Sequence, residues 1–376
     1  MECGELTDLI DAHRRLAGPA VLATVVDVAG SSYRRPGARM LVPLADDQRR
    51  VGLVSGGCLE RDLAARAALL TEDGPATVSY DTRGTEERPL GAFGSGCDGV
   101  VHVLLRRLAP HPHDPLMNTL AGVADSGAPA TLRTAYRGEH VGAWATDDAG
   151  CGGLPDEAAR LPPDDEPVSY RVDLTRTAGV RADAYSEVLV EAVVPPRRVT
   201  VLGCGDDVIP VARLGGVLGW DTLVVPRRPT PDPDAARFAP ATVRHAPAGG
   251  VADLLRDARR LGEASAVLLM SHDFAHDLAV LPALLASPVG YVGLLGPKRR
   301  AGRLMADLHA AGRLPDAASL ARLHTPVGLD LGSRGPREVA LAIAAELTAV
   351  FNDRPAGRLA ERRGPIHEPA RHAVLT

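Results

Sequence analysis

Residues 51–70 read VGLVSGGCLERDLAARAALL, and the fold of the first half of the chain turns on how this run divides. Residues 51–54 are apolar and β-prone and read as a buried strand. From Leu59 onward the apolar residues Leu59, Leu63, Ala67 and Leu70 recur at helical spacing. Between them lies Ser55-Gly56-Gly57-Cys58, a loop with almost no side-chain bulk, which sets Cys58 at the first turn of the helix. A helix N-terminus carries unpaired N–H groups and a partial positive charge, and both favour a thiolate over a thiol. The paired glycines let a ligand approach the backbone closely. A second loop of the same character, GSGCDG at residues 94–99, places Gly96 and Cys97 in a similar setting.

Working outward, a helix over 6–16 and strands over 21–28, 38–43, 76–80 and 100–105 complete an α+β domain. A third glycine-rich loop, GSSYRRPG at residues 30–37, joins two of these strands. From residue 110 to about 167 the composition shifts to Pro, Asp, Gly and His, with a helix over 116–124, a strand near 130–136 and a surface loop over 156–166. A strand over 187–194 precedes the PPRR run at 195–198, which marks a domain boundary. Beyond it, strands over 199–202, 222–225, 266–270 and 289–295 alternate with helices ending near 218 and spanning 251–261, 278–285 and 298–308. A final amphipathic helix covers 336–351. Such alternation specifies an α/β domain with a Rossmann-like, doubly wound parallel sheet. The Arg- and Pro-rich tail reads as loose. The domains are therefore 1–110, a connecting region 111–195 whose short strands pack on the first domain, 196–353, and the tail 354–376.

Composition excludes several classes. The 376 residues carry a net charge of −5 with both signs interspersed, not the basic stripe of a nucleic-acid surface. No apolar run is long enough to span a membrane, and the acidic N-terminus lacks a secretory core. Aromatic residues make up only 3% of the chain, so its cores are built from Ala, Val and Leu. The five cysteines are odd in number and scattered, which points to reduced thiols in a cytoplasmic setting. Neither Cys58 nor Cys97 has a second ligand at zinc spacing, and Cys3, Cys151 and Cys204 read as incidental.

In the second half, Gly203-Cys204-Gly205 after a strand is half of a dinucleotide fingerprint. The third glycine position is Val208, and the acidic ribose ligand is missing from the following strand, which ends VVPRR at 224–228. Asp206 and Asp207 oppose a pyrophosphate there. An NAD(P)-dependent oxidoreductase is thus the weaker functional reading. Ser271-His272-Asp273 ends another strand, where a histidine either binds a ligand or caps a helix. Gly296-Pro297-Lys298-Arg299-Arg300 ends the next with a glycine turn and cations suited to an anion. Arg34, Arg35 and Arg39 flank the 30–37 loop. They are either solvated surface groups or, beside two cysteine loops, contacts for an anionic ligand.

Taken together, GSSYRRPGARM at 30–40, SGGCLE at 55–60 and GCDG at 96–99 resemble the N-terminal signature of the XdhC/CoxI family. SHD at 271–273, YVGLLG at 291–296 and GLDLG at 328–332 with Pro336 and Glu338 resemble its C-terminal elements. The chain departs from the family pattern at Asp206, where His is usual, at Pro226, where an acid is common, and at Asp98. The resemblance implies an accessory chaperone, more a maturation factor than an enzyme. Such a protein binds molybdenum cofactor (molybdopterin), supports its sulfuration with sulfur from a cysteine desulfurase, and delivers it to a xanthine dehydrogenase-type molybdenum hydroxylase. On this reading Cys58 and Cys97 flank the cofactor, one contacting molybdenum or carrying a persulfide. Ser32, Arg34, Arg35, Ser55, Gly56, Gly57 and Gly96 hold the pterin or phosphate, and Glu60 orients the loop. Gly203, Gly205, His272, Asp273, Gly296, Lys298 and Arg299 contribute from the second domain, which closes over the ligand. Soft thiolates suit the metal, and backbone N–H groups with arginines suit the phosphate. A homodimer is the expected assembly, symmetric dimers being the commonest among soluble proteins.

Overall fold

The computed structural model describes residues 3–45, 49–83, 99–147, 153–164, 166–174, 184–227, 235–245, 262–363 and 371–375. The chain forms two units, Met1–Pro195 with His367–Thr376, and Pro196–Ile366. The helix expected over 251–261 lies outside the described residues. Among the described residues no helix is long and apolar enough to cross a membrane.

In the first unit the central strand β1 (Ala20–Gly30) is buried from Ala20 to Val28 because both of its faces are covered. It lies in a five-stranded sheet of order β3-β2-β1-β5-β4, with β2 (Arg39–Pro43), β3 (Val51–Gly52), β4 (Ala76–Asp81) and β5 (Gly99–Leu108), every neighbouring pair antiparallel. One face packs on helix α2 (Glu60–Leu70), where Val21, Ala23, Val25, Met40 and Val42 meet Leu59, Leu63 and Ala67. On the other face Ala20, Leu22 and Leu41 meet α1 (Cys3–Arg15) and α3 (Pro115–Ser126). The strand expected over 51–54 is cut to two residues. At Gly52 (φ +85°) the chain turns hard against the Arg39 carbonyl, and Leu53 swings out to 41% exposure.

A second sheet of order β16-β8-β9-β6-β7 is built from β6 (Ala130–Gly138), β7 (Trp144–Thr146), β8 (Val168–Asp173), β9 (Tyr185–Val193) and β16 (Arg371–Leu375). Alternation along β9 divides its residues. Val188 and Val190 face an outer core with Leu154, Ala158 and Leu161. Leu189 faces inward to Val26, Leu104 and Tyr136. Two expectations are corrected here. The surface loop over 156–166 instead contains the short helix α4 (Asp156–Ala159) and carries buried apolar groups that close the outer face. The tail is not loose throughout, since β16 pairs in parallel with β8 and His372 Nε2 lies 2.8 Å from the Asp27 carboxylate of β1.

The second unit is a six-stranded parallel sheet of order β12-β11-β10-β13-β14-β15, formed by β10 (Arg198–Leu202), β11 (Asp221–Val225), β12 (Thr242–Val243), β13 (Ser265–Leu269), β14 (Tyr291–Leu294) and β15 (Leu323–His324). Helices α5 (Val208–Val217) and α9 (Pro336–Phe351) cover one face through Val211, Ile343 and Leu347. Helices α6 (Phe274–Ala286) and α7 (Lys298–Ala310) cover the other through Leu281, Leu285 and Leu304. The short α8 (Ala317–Leu320) leads into β15. The strand order reverses between β10 and β13, the place where open α/β sheets leave a crevice at the carboxyl ends of their strands.

The two sheets of the first unit are joined by a buried ion pair. Arg39 on β2 and Glu191 on β9 each have side chains 2% exposed. Arg39 Nη2 and Nη1 donate to the Glu191 carboxylate at 2.5 and 3.2 Å, and Nη1 also donates to the Gly37 carbonyl at 2.9 Å. Removing one partner of such a pair strands a charge in a dry interior, whereas replacing both with apolar groups does not. Glu191→Ala is therefore expected to cost about 3–5 kcal/mol, and Arg39→Met combined with Glu191→Leu to recover most of it. Chemical denaturation of the three proteins measures this, and a double variant as unstable as the single one would contradict it.

Candidate functional site

Because successive pairings in the first sheet are antiparallel, β1, β3 and β4 run the same way and end at one edge. That edge gathers the 31–38 loop, the 53–59 loop and the stem of the segment between β4 and β5. Gly30 pairs with Gly99, and a Cβ on Gly99 would lie 2.5 Å from the Ser31 carbonyl oxygen, so the stem is pressed against the 30–37 loop. Thr82 clamps the stem, its N–H and hydroxyl donating to the Gly99 carbonyl at 2.8 and 2.7 Å. Gly96 and Cys97 lie in the segment 84–98, outside the described residues.

The Cys58 loop is organised by Ser55 and Glu60. The fully buried Glu60 carboxylate accepts from the N–H groups of Val54 (3.1 Å) and Ser55 (2.7 Å) and from the Ser55 hydroxyl (2.6 Å). Ser55 Oγ in turn accepts from the N–H groups of Gly57 (3.1 Å) and Leu59 (3.2 Å), and the half-buried Cys58 Sγ lies 3.5 Å from it. This serine-centred turn moves the start of the helix. Residue 60, not 58, opens α2, with Leu59 as its cap, so Cys58 stands just ahead of the helix and not in its first turn. Gly57 adopts φ +109°, a conformation that a residue with a side chain would strain to hold.

Ser32 is half-buried on the neighbouring loop. Arg34 is tied to Glu5 of α1, and Arg35 lies 3.3 Å from Glu166. These carboxylates fix the loop from both sides, and nothing in the sequence near residues 5 or 166 signals the pairing. Tyr33, which immediately precedes the two arginines, lies over Gly56, where a Cβ would sit 3.7 Å from the ring.

In the second unit, Gly203 and Gly205 follow β10, and His272 and Asp273 follow β13, at adjacent strand ends. Gly203 passes so close to the Met270 carbonyl that a Cβ would lie 2.2 Å from its oxygen. His272 holds a left-handed backbone (φ +54°), and its Nε2 lies 2.8 Å from Asp207 Oδ2. A Cβ on Gly205 would lie 2.5 Å from Asp207 Oδ1 and 3.6 Å from the imidazole. The chain's own carboxylate–imidazole pair thus fills the place beside the glycine turn where a dinucleotide phosphate sits. Asp273 caps α6, accepting from the His276 N–H at 3.0 Å, and forms an ion pair with Arg227. After β14, Gly296 precedes the exposed Lys298 and Arg299 of α7. Arg300 turns inward to the buried Asp277 at 2.6 Å, which also accepts from the Ser271 hydroxyl at 2.6 Å. Sequence singles out Asp207 as opposing a pyrophosphate and Arg227 as a phosphate contact, not as the partners of His272 and Asp273. Asp277 was missed, and a charged residue inside an apolar helical run was its available signal.

A cysteine-loop α+β unit followed by a Rossmann-type parallel sheet defines a two-part class of protein. Residues 13–81 match the XdhC and CoxI family, and residues 199–347 match the XdhC Rossmann domain. The chain belongs to the XdhC/CoxI family. It is 27% identical to a probable xanthine dehydrogenase subunit of Bacillus subtilis over 92% of this chain and 97% of that one. It is 24% identical to the molybdenum cofactor insertion chaperone PaoD of Escherichia coli over 88% of this chain and 83% of that one. A crystal structure of a xanthine dehydrogenase from Bacillus halodurans matches with a TM-score of 0.69 at 27% identity, covering 96% of this chain and 98% of that one.

Burial alone raises a carboxyl pKa, but at Glu60 the hydrogen bonds from the Ser55 hydroxyl and the local N–H groups outweigh it, and the group is held below its ordinary value of 4.5. A depressed carboxylate contributes stability that is complete above the unfolded pKa and is lost as pH falls through the folded one. Glu60→Gln is thus expected to cost about 2 kcal/mol at neutral pH. The gap to the unmodified protein should narrow below pH 4.5. Melting curves from pH 7 to pH 3 test this, and a gap that stays constant would contradict it.

Proposed function

We propose that this protein is a maturation factor that binds molybdenum cofactor as its cargo at the loop edge of the first unit and delivers it to a xanthine dehydrogenase-type hydroxylase. The observation that carries this reading is the gathering, at one sheet edge, of the Cys58 loop, the 30–37 loop and the stem of the Cys97 loop. The names of the relatives agree with it, one being a cofactor insertion chaperone and another a subunit of xanthine dehydrogenase. Cys58 and Cys97 supply soft sulfur ligands or a persulfide site for a metal held by a dithiolene. Gly56, Gly57, Gly96 and Ser32, with Arg34 and Arg35 lending positive charge from their ion-paired positions, receive the pterin and its phosphate. Ser55 and Glu60 hold the loop in shape. In the second unit, Gly203, Gly205, His272, Asp273, Gly296, Lys298 and Arg299 stand just beyond the carboxyl ends of β10, β13 and β14.

On this reading a cysteine desulfurase supplies the sulfur for cofactor sulfuration, and the work is done in the cytoplasm by a homodimer. A dehydrogenase using NAD(P) fits less well, because Asp207 and His272 pack beside the glycine turn. In a reconstitution containing apo-hydroxylase, cofactor and sulfur donor, the unmodified protein is expected to raise hydroxylase turnover. Cys58→Ala should lower that stimulation at least tenfold without lowering the melting temperature. Full stimulation by Cys58→Ala would remove the cysteine from the account.

A further inference from the structure

Aromatic side chains are scarce in this chain, at 3% of residues. Among the described residues every Phe, Trp and Tyr is buried or half-buried except Tyr33, which is 64% exposed. Burial of such a ring is normally a large gain, so its exposure at one particular place calls for a reason. The ring lies across Gly56, and the two residues that follow it, Arg34 and Arg35, anchor the loop through ion pairs with Glu5 and Glu166. It is held out at the loop edge, over a glycine that stands two residues before Cys58. Gly56 offers only backbone to the ring, and a Cβ on Gly57 would meet nothing within 4 Å. The ring thus packs on glycine backbone on one side and is otherwise open at the loop edge, with two residues in sequence from that glycine to the half-buried Cys58. Among the described residues no other ring is seated on Tyr33.

We propose that Tyr33 is the stacking platform of this site and that it selects a ligand with a planar heteroaromatic ring. On the reading given above, on which this assignment rests, that ring is the pterin of the cargo. The exposed part of the Tyr33 ring is a surface on which a flat ring can stack, and a pre-anchored loop loses little freedom on binding. Stacking of a heteroaromatic ring on an aromatic side chain requires the ring of the side chain and not its hydroxyl.

The full chain is titrated with isolated molybdenum cofactor and, separately, with 6-carboxypterin, whose fluorescence is quenched by stacking. Tyr33→Phe is expected to bind both within twofold of the unmodified protein and to quench fully. Tyr33→Leu, which keeps apolar bulk over Gly56, is expected to bind both about tenfold more weakly, without quenching and with an unchanged melting temperature. Tight cofactor binding by Tyr33→Leu would overturn the stacking role while leaving the cofactor reading in place. Failure of the unmodified protein to bind the cofactor would overturn both.

Discussion

The bidentate pair of Arg39 and Glu191 is the constraint on which the first unit depends. It is a dry, fully buried ionic contact between the two sheets, and it is directional. Apolar packing would tolerate a slip of one sheet over the other, whereas a bidentate guanidinium–carboxylate pair does not. The same guanidinium holds the Gly37 carbonyl, where the 30–37 loop rejoins the sheet. One interaction thus sets the spacing of the layers and the end of a loop at the candidate site.

The Cys58 loop solves a different problem. Two glycines give it room for a ligand but cost it order, and order returns through the Ser55–Glu60 network. A carboxylate with no solvent exposure takes up the N–H groups on one side, and a serine hydroxyl takes up those on the other. The cysteine is left half-buried at the end of an ordered turn, two residues after the glycine that Tyr33 covers. In the second unit the same economy appears with the opposite result. There the glycine turn is kept, but Asp207 and His272 occupy the space beside it. The Rossmann sheet is preserved, with a carboxylate–imidazole pair of the chain's own beside its glycine turn.

The parallel sheet and the Cys58 strand–loop–helix were legible from local sequence because each rests on periodicity. The α2 stripe of Leu59, Leu63 and Ala67 and the apolar strands of the second half show it. The strand at Arg371–Leu375 was not legible, since its partner β8 lies some 200 residues upstream and five residues carry no period of their own. Glu5 and Glu166 were equally silent, being ordinary surface acids until the fold brings them to Arg34 and Arg35. Glu191 and Arg39 could have been found. Each interrupts the inward face of an apolar strand, and a charge at such a position requires a partner. The start of α2 was displaced because a serine-centred turn competes with helix at its first residues.

The central claim is that the loop edge of the first unit holds molybdenum cofactor through Cys58. The most direct measurement is to mix the purified protein with the cofactor, separate the unbound material by gel filtration, and assay the protein peak for molybdenum and for oxidised-pterin fluorescence. Co-elution of both in stoichiometric amount, lost in Cys58→Ala while the protein remains folded, is the predicted result. A protein peak that carries neither molybdenum nor pterin would contradict the account.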